Sequence, residues 1–306
     1  MSISLNLTTS LLYLAKPKLY FAKSGYEFDK AMYNFTAKQA FKFPKKIFQN
    51  MYVEKFLFQN HTSYVIRSSQ KKQKNALVYF YGGGFIMPPQ KSDFKAIQTI
   101  VRNLDVDVIL PVLPLLPTES FNDICEVGLD IYNYTIKNYG SASTQLLGFS
   151  SGASLCFYIF SYMQRKGLKL PYPNNIIACS PAESVPPTSD QIKHMDKIRK
   201  KDLIMDPSLM KGISGYMKDS KIPLRTLSFN MNGFPHTHIT FGTHEIFYAY
   251  FPAFKVAKEN YNLNFTFEVH EGMPHCWQLW HWTKEGRNGM KKIINTIEFH
   301  FDTKKI

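Results

Sequence analysis

From residue 75 onward the chain alternates between two kinds of segment, and that alternation is the strongest constraint on its fold. NALVYFY (75–81), DVDVILPVL (105–113), TQLLGF (144–149) and NIIACS (175–180) are continuous, β-favouring apolar runs. Between them, Ser120 to Asn138 and Gly152 to Arg165 have helical length and pattern. A strand that is apolar throughout must be covered on both faces. Strands separated by helices pair in parallel, so the pattern predicts an α/β fold: a mostly parallel central sheet flanked by helices, with chemistry at the strand ends. The regularity breaks after Ser180. Residues 181–236 are rich in Pro, Ser, Lys and Met and contain short helical pieces such as Asp206 to Lys218. The pattern resumes with HITFG (238–242), NFTFEVHEG (264–272) and a closing helix within Trp282 to Phe299. Ahead of the first run, Phe28, Met32, Phe35 and Phe41 recur at roughly helical spacing, which predicts one or two amphipathic helices. The chain therefore divides into an N-terminal segment (1–60), a first part of the core (61–180), an insertion (181–236) and a second part of the core (237–306).

Composition narrows the class. A chain of 306 residues with 44% hydrophobic side chains can bury a large core without disulfides or metals. Its four cysteines, Cys125, Cys156, Cys179 and Cys276, show no CxxC or Cys/His metal spacing and read as buried free thiols. The formal charge is +14, but the lysines lie in scattered pairs such as Lys45-Lys46 and Lys200-Lys201. With no basic block and no nucleic-acid motif, this is a solvated basic surface rather than a nucleic-acid interface, and weak attraction to anionic lipid stays open. Only a short apolar patch, Leu11 to Ala15, interrupts the polar N-terminal stretch, and nothing approaches the roughly 18 apolar residues of a membrane span. The expectation is a cytoplasmic enzyme or binding protein whose oligomeric state the sequence leaves open.

Two short motifs carry chemistry. In Gly148-Phe149-Ser150-Ser151-Gly152 a serine sits between two glycines, with LLGF before it and the helix-like ASLCFYIF after it. This is the G-x-S-x-G pattern of a nucleophile on a strand-to-helix turn, although alone it also describes a tight turn of small residues. Tyr81-Gly82-Gly83-Gly84-Phe85 follows the first buried run, where backbone N–H groups can point at an oxyanion. A flexible glycine loop is the alternative.

Together these motifs resemble the hormone-sensitive-lipase-like esterases of the α/β-hydrolase fold. That family carries HGGG ahead of the serine, the chain order Ser, acid, His, and a helical cap built from the N-terminus and an insertion. YGGG stands here for HGGG, and the 1–60 and 181–236 segments stand for the cap. The resemblance implies Glu245, in ITFGTHEIFYAY, as the acid and His275, in EVHEGMPHCW, as the base. It further implies Gly83, Gly84 and Ser151 as oxyanion donors, with Tyr81 and Gly82 supporting the loop. Three departures stand out. Tyr81 replaces the family's histidine, and VLPLLPTES (112–120) replaces a charged RLAPE-type stretch. The family's second carboxylate, four residues after the acid, is Ala249 here.

His236, His238, His244, His270 and His281 compete with His275 for the role of base, and only His275 follows a strand within a Gly/Pro-rich loop. The implied activity is hydrolysis of short- to medium-chain or acetyl carboxylic esters through an acyl-serine, which calls on no metal or organic cofactor. An amidase or peptidase with the same triad, and a non-catalytic small-ligand binder on the same scaffold, remain as alternatives.

Overall fold

The computed structural model describes residues 2–15, 27–31, 41–58 and 60–302. Eight strands form one sheet: β1 (Tyr52–Phe58), β2 (His61–Arg67), β3 (Asn75–Phe80), β4 (Val106–Pro111), β5 (Thr144–Phe149), β6 (Asn175–Cys179), β7 (His236–Gly242) and β8 (Phe265–His270). Their order across the sheet is β1-β2-β4-β3-β5-β6-β7-β8. β2 pairs antiparallel with both β1 and β4, and every pairing from β4 through β8 is parallel.

The expected α/β architecture is present. Each expected apolar run forms a strand, and TQLLGF does so over its whole length, buried at every position. Helices α2 (Lys91–Asn103), α3 (Phe121–Tyr139), α4 (Ser151–Arg165), α5 (Ser189–Ile198), α6 (Pro207–Tyr216), α7 (Phe251–Asn260) and α8 (Lys284–Asp302) follow α1 (Ile3–Ala15). α3 starts where Ser120 and Asp123 exchange side-chain and backbone hydrogen bonds, a capping box that satisfies two otherwise orphaned N–H groups. The crossovers between parallel strands run through helices, and α3 and α4 pack against the sheet.

One boundary needs correction. The N-terminal segment was expected to end at residue 60, but β1 lies inside it and belongs to the sheet. β1 is an edge strand with exposed Glu54 and Lys55, so it lacks the unbroken apolar run that marks the inner strands. The hairpin to β2 closes at Asn60, whose φ is 68°. Of the aromatic and methionine positions read as helical there, Phe28 lies in a helical piece at 27–31, while Met32 and Phe35 fall outside the described residues.

The insertion folds as two helices, α5 and α6, over the carboxyl ends of the strands. Phe28 packs on it: a Cβ at Gly212 of α6 would lie 2.5 Å from the Phe28 ring, and Tyr216 donates to Asp29 at 2.6 Å. One continuous apolar core joins Phe28, the sheet, α6 and Ile297 of α8. All four cysteines are free and buried. Among the described residues no helix is long and apolar enough to cross a membrane.

Candidate active site

Ser150 occupies the turn between β5 and α4. Its φ of 53° is unusual for a residue with a side chain, and the surroundings hold it there. Its N–H donates to the Cys179 carbonyl of the neighbouring strand at 2.8 Å, and its own carbonyl receives the Ser154 N–H of α4. The flanking glycines have no alternative. A Cβ on Gly148 would sit 2.4 Å from the Gly152 carbonyl oxygen, and one on Gly152 would sit 2.1 Å from the Phe80 carbonyl oxygen at the end of β3. Strand, turn and helix thus touch backbone to backbone, and the serine projects above the sheet.

The glycine loop leaves β3 beside it. Gly83, Gly84 and Phe85 have successive φ values of 113°, 63° and 61°, a run of positive-φ backbone that side chains at the first two positions would strain. Gly83, Gly84 and Ser151 border the same cavity as Ser150. Tyr81 braces the loop differently from a histidine: its hydroxyl accepts the Leu113 N–H at 2.9 Å. The Leu116 N–H donates to the Phe85 carbonyl at 2.8 Å, so the VLPLLP stretch supports the glycine loop through backbone rather than through charge.

Glu245 and His275 lie in the loops after β7 and β8. These loops touch closely: the His244 N–H donates to the Met273 carbonyl at 3.0 Å, and a Cβ on Gly242 would lie 2.0 Å from that same oxygen. His275 Nε2 lies 2.8 Å from Ser150 Oγ, and its Nδ1 lies 2.5 Å from Glu245 Oε2. Glu245 is fully buried, and its other oxygen accepts from the Gly242 N–H at 2.7 Å and the Ser180 hydroxyl at 2.8 Å. Burial pushes the Glu245 carboxyl up, against the opposing pull of His275 and these donors. For His275, burial alone favours the neutral ring, but the adjacent Cys276 sulfur and the Glu245 carboxylate outweigh it and hold the imidazole well above its usual value. Phe247 stands edge-on to the ring at 4.7 Å.

Three of the competing histidines have other hydrogen-bond or charge partners. His236 bonds Asn175 and stacks on His300, and both His238 and His270 contact Glu268.

Two residues in the site have no motif of their own. Ser180, just past the end of β6 with a φ of 56°, donates to Glu245. Asp202, buried in the insertion, accepts the Ile204 and Met205 N–H groups on one oxygen at 2.9 and 2.8 Å. Its other oxygen accepts the Ile246 N–H at 2.7 Å, one residue past Glu245. Only folding brings either within reach of Glu245, so local sequence carries no sign of them.

A cavity of about 240 Å³ opens onto Ser150 and His275. Met205, Leu209, Met210, Ile213 and Met217 of the insertion wall it, with Met87 and Phe247 on the core side. Three methionines of the Met-rich insertion, Met205, Met210 and Met217, thus border the cavity, whereas Phe28 packs behind α6.

Residues 77–279 match the family model for the alpha/beta hydrolase fold. No curated protein sequence matches the chain. Among solved structures, the esterase EstE5, soaked with p-nitrophenyl butyrate, superposes with a TM-score of 0.82 at 18% identity, covering 98% of this chain and 99% of that one. An esterase of the bacterial hormone-sensitive lipase family superposes at 0.77 with 16% identity over 98% and 99%. An esterase/lipase from an uncultured bacterium does so at 0.73 with 18% identity over 91% and 99%. These likenesses extend over nearly the whole of each chain, and with a family match spanning more than half its length the protein belongs to the alpha/beta hydrolase fold family.

Proposed function

We propose that the protein is a serine esterase of the hormone-sensitive-lipase-like group, acting on carboxylic esters with short to medium acyl chains. The observation that carries this reading is His275, which bridges a strained serine and a buried carboxylate at the mouth of an apolar cavity. A serine hydroxyl becomes nucleophilic when a positioned base removes its proton. In this reading His275 Nε2 takes the Ser150 proton as Oγ bonds to the ester carbonyl carbon. The N–H groups of Gly83, Gly84 and Ser151 hold the oxyanion, and Glu245 fixes the tautomer and stabilises the imidazolium. The imidazolium returns its proton to the departing alkoxide, leaving an acyl-serine. Water, deprotonated by His275, then releases the acid.

The cavity supports this substrate range. Its volume of about 240 Å³ lies below the roughly 300–1,000 Å³ usual for drug-sized ligands, and its walls are mainly apolar. The structurally similar EstE5 was soaked with a butyrate ester, which is in keeping with short chains. A p-nitrophenyl ester series from acetate to dodecanoate should show a maximum among short to medium chains. Ser150→Ala should lose roughly 10³-fold or more in kcat and all labelling by a fluorophosphonate. Wild-type turnover in that variant would remove the assignment, and cleavage of anilides but not esters would make the protein an amidase.

A further inference from the structure

Helix α1 has two apolar stripes on opposite sides. At 3.6 residues per turn, Ile3, Leu7, Leu11 and Leu14 fall within about 80° of arc, and Leu5 and Leu12 fall on the opposite side. The second stripe is used: Leu5 is buried and, with Leu12, packs on Met273, Trp277 and Trp280, which surround the His275 loop. The first is not, since its four side chains are between 58% and 87% exposed. The helix carries no charged residue. Its rotation is fixed by Trp282, which donates from Nε1 to Thr8 Oγ1 at 3.0 Å, and by the Lys284 N–H, which donates to Ser4 Oγ at 3.3 Å. The exposed stripe is therefore a built surface rather than one orientation of a free helix. Exposed Tyr13 and Trp282 flank it, amphipathic rings of the kind that settle at a membrane boundary.

Charge indicates what covers this stripe. Residues 1–50 hold eight lysines against two acidic residues, Glu27 and Asp29, so they carry a large share of the net +14. Beside α1, Lys284 and Arg287 at the start of α8 are exposed. A second copy would bring two like charges together over a stripe of four side chains, far short of the roughly 800 Å² per partner of a stable interface. An anionic lipid surface takes up the apolar stripe and attracts the lysines as well. At about 20 Å, the helix is too short to cross a hydrocarbon core of about 30 Å.

We propose that α1 is an interfacial anchor that lies in the headgroup region of an anionic bilayer. Docking there brings the loop that carries His275 close to the lipid. The anchor does not depend on the esterase reading, because binding is measured without substrate and should be the same in Ser150→Ala.

The test is co-sedimentation of the full chain with phosphatidylcholine vesicles, with and without 30% phosphatidylglycerol, at low salt and at 0.5 M salt. Binding should require the anionic lipid and weaken with salt. Leu7→Gln/Leu11→Gln/Leu14→Gln should bind at least tenfold more weakly while melting as wild type does, since these side chains leave the core untouched. Equal binding by the triple variant, or no binding to the anionic vesicles, would overturn the proposal. So would a concentration-dependent dimer in sedimentation velocity that the same variant abolishes, which would assign the stripe to a second copy.

Discussion

Single residues decide how the candidate triad titrates. In the proposed mechanism His275 acts as a neutral ring, so the rate should rise with pH as the imidazolium loses its proton. Because the Glu245 carboxylate helps hold that proton, the acid limb of kcat/KM should lie above pH 6.5 in the wild type. Glu245→Gln keeps the shape and the buried contacts with Ser180 and Gly242 but removes the charge. It should lower kcat by roughly 10³- to 10⁴-fold and move the acid limb to lower pH. A pH–rate profile that keeps its midpoint in the variant would show that Glu245 does not set the His275 titration. These three residues were readable in the sequence because each sits in a local pattern, GFSSG, GTHE or GMPH, that reflects a tight turn at a strand end. Ser180 and Asp202 were not, since their partners are 65 and 44 residues away and reach them only through the sheet and the insertion.

At the scale of elements, the inner strands were legible because burial on both faces demands an unbroken apolar run, as in LVYF of β3 and LLGF of β5. β1 was not, because an edge strand with one wet face carries charge, and its aromatic residues followed others at helical spacing. The link between insertion and core was also hidden, and it runs through Asp202. One carboxylate oxygen holds Ile204 and Met205, both in the cavity wall or beside it, and the other holds the first turn after Glu245. Asp202→Asn must set its amide N–H against at least one of these backbone donors, a buried mismatch of about 1–3 kcal/mol. The variant should melt lower and lose about tenfold in kcat/KM, shared between a higher KM and a lower kcat. Loss of thermal stability with both constants unchanged would reduce Asp202 to a purely structural residue.

The stability of the whole molecule should carry two opposing pH dependences. His236, half-buried at the start of β7, is pushed down to about 4 by burial and by His300 and His238. The unfolded chain takes up its proton first, so this group's contribution is present above the ordinary histidine value near 6.5 and is lost as pH falls toward 4. Asp93 works in the other direction. It caps α2 by accepting the Gln90 N–H at 2.7 Å and the Tyr79 hydroxyl at 2.9 Å, and burial raises its carboxyl from 3.8 to about 6. Between those values the folded chain binds more protons than the unfolded one. Its contribution is therefore complete below 3.8 and is lost as pH rises through 6, a change of roughly 3 kcal/mol. Asn at this position cannot titrate. Asp93→Asn should be the less stable protein at pH 4, where the wild type holds a protonated carboxyl, and should gain on the wild type as pH rises to 7. Urea unfolding of both proteins at intervals across that range checks the sign. Curves that run parallel from pH 4 to 7 would mean that the buried carboxyl titrates at its ordinary value and that α2 is capped by a carboxylate throughout.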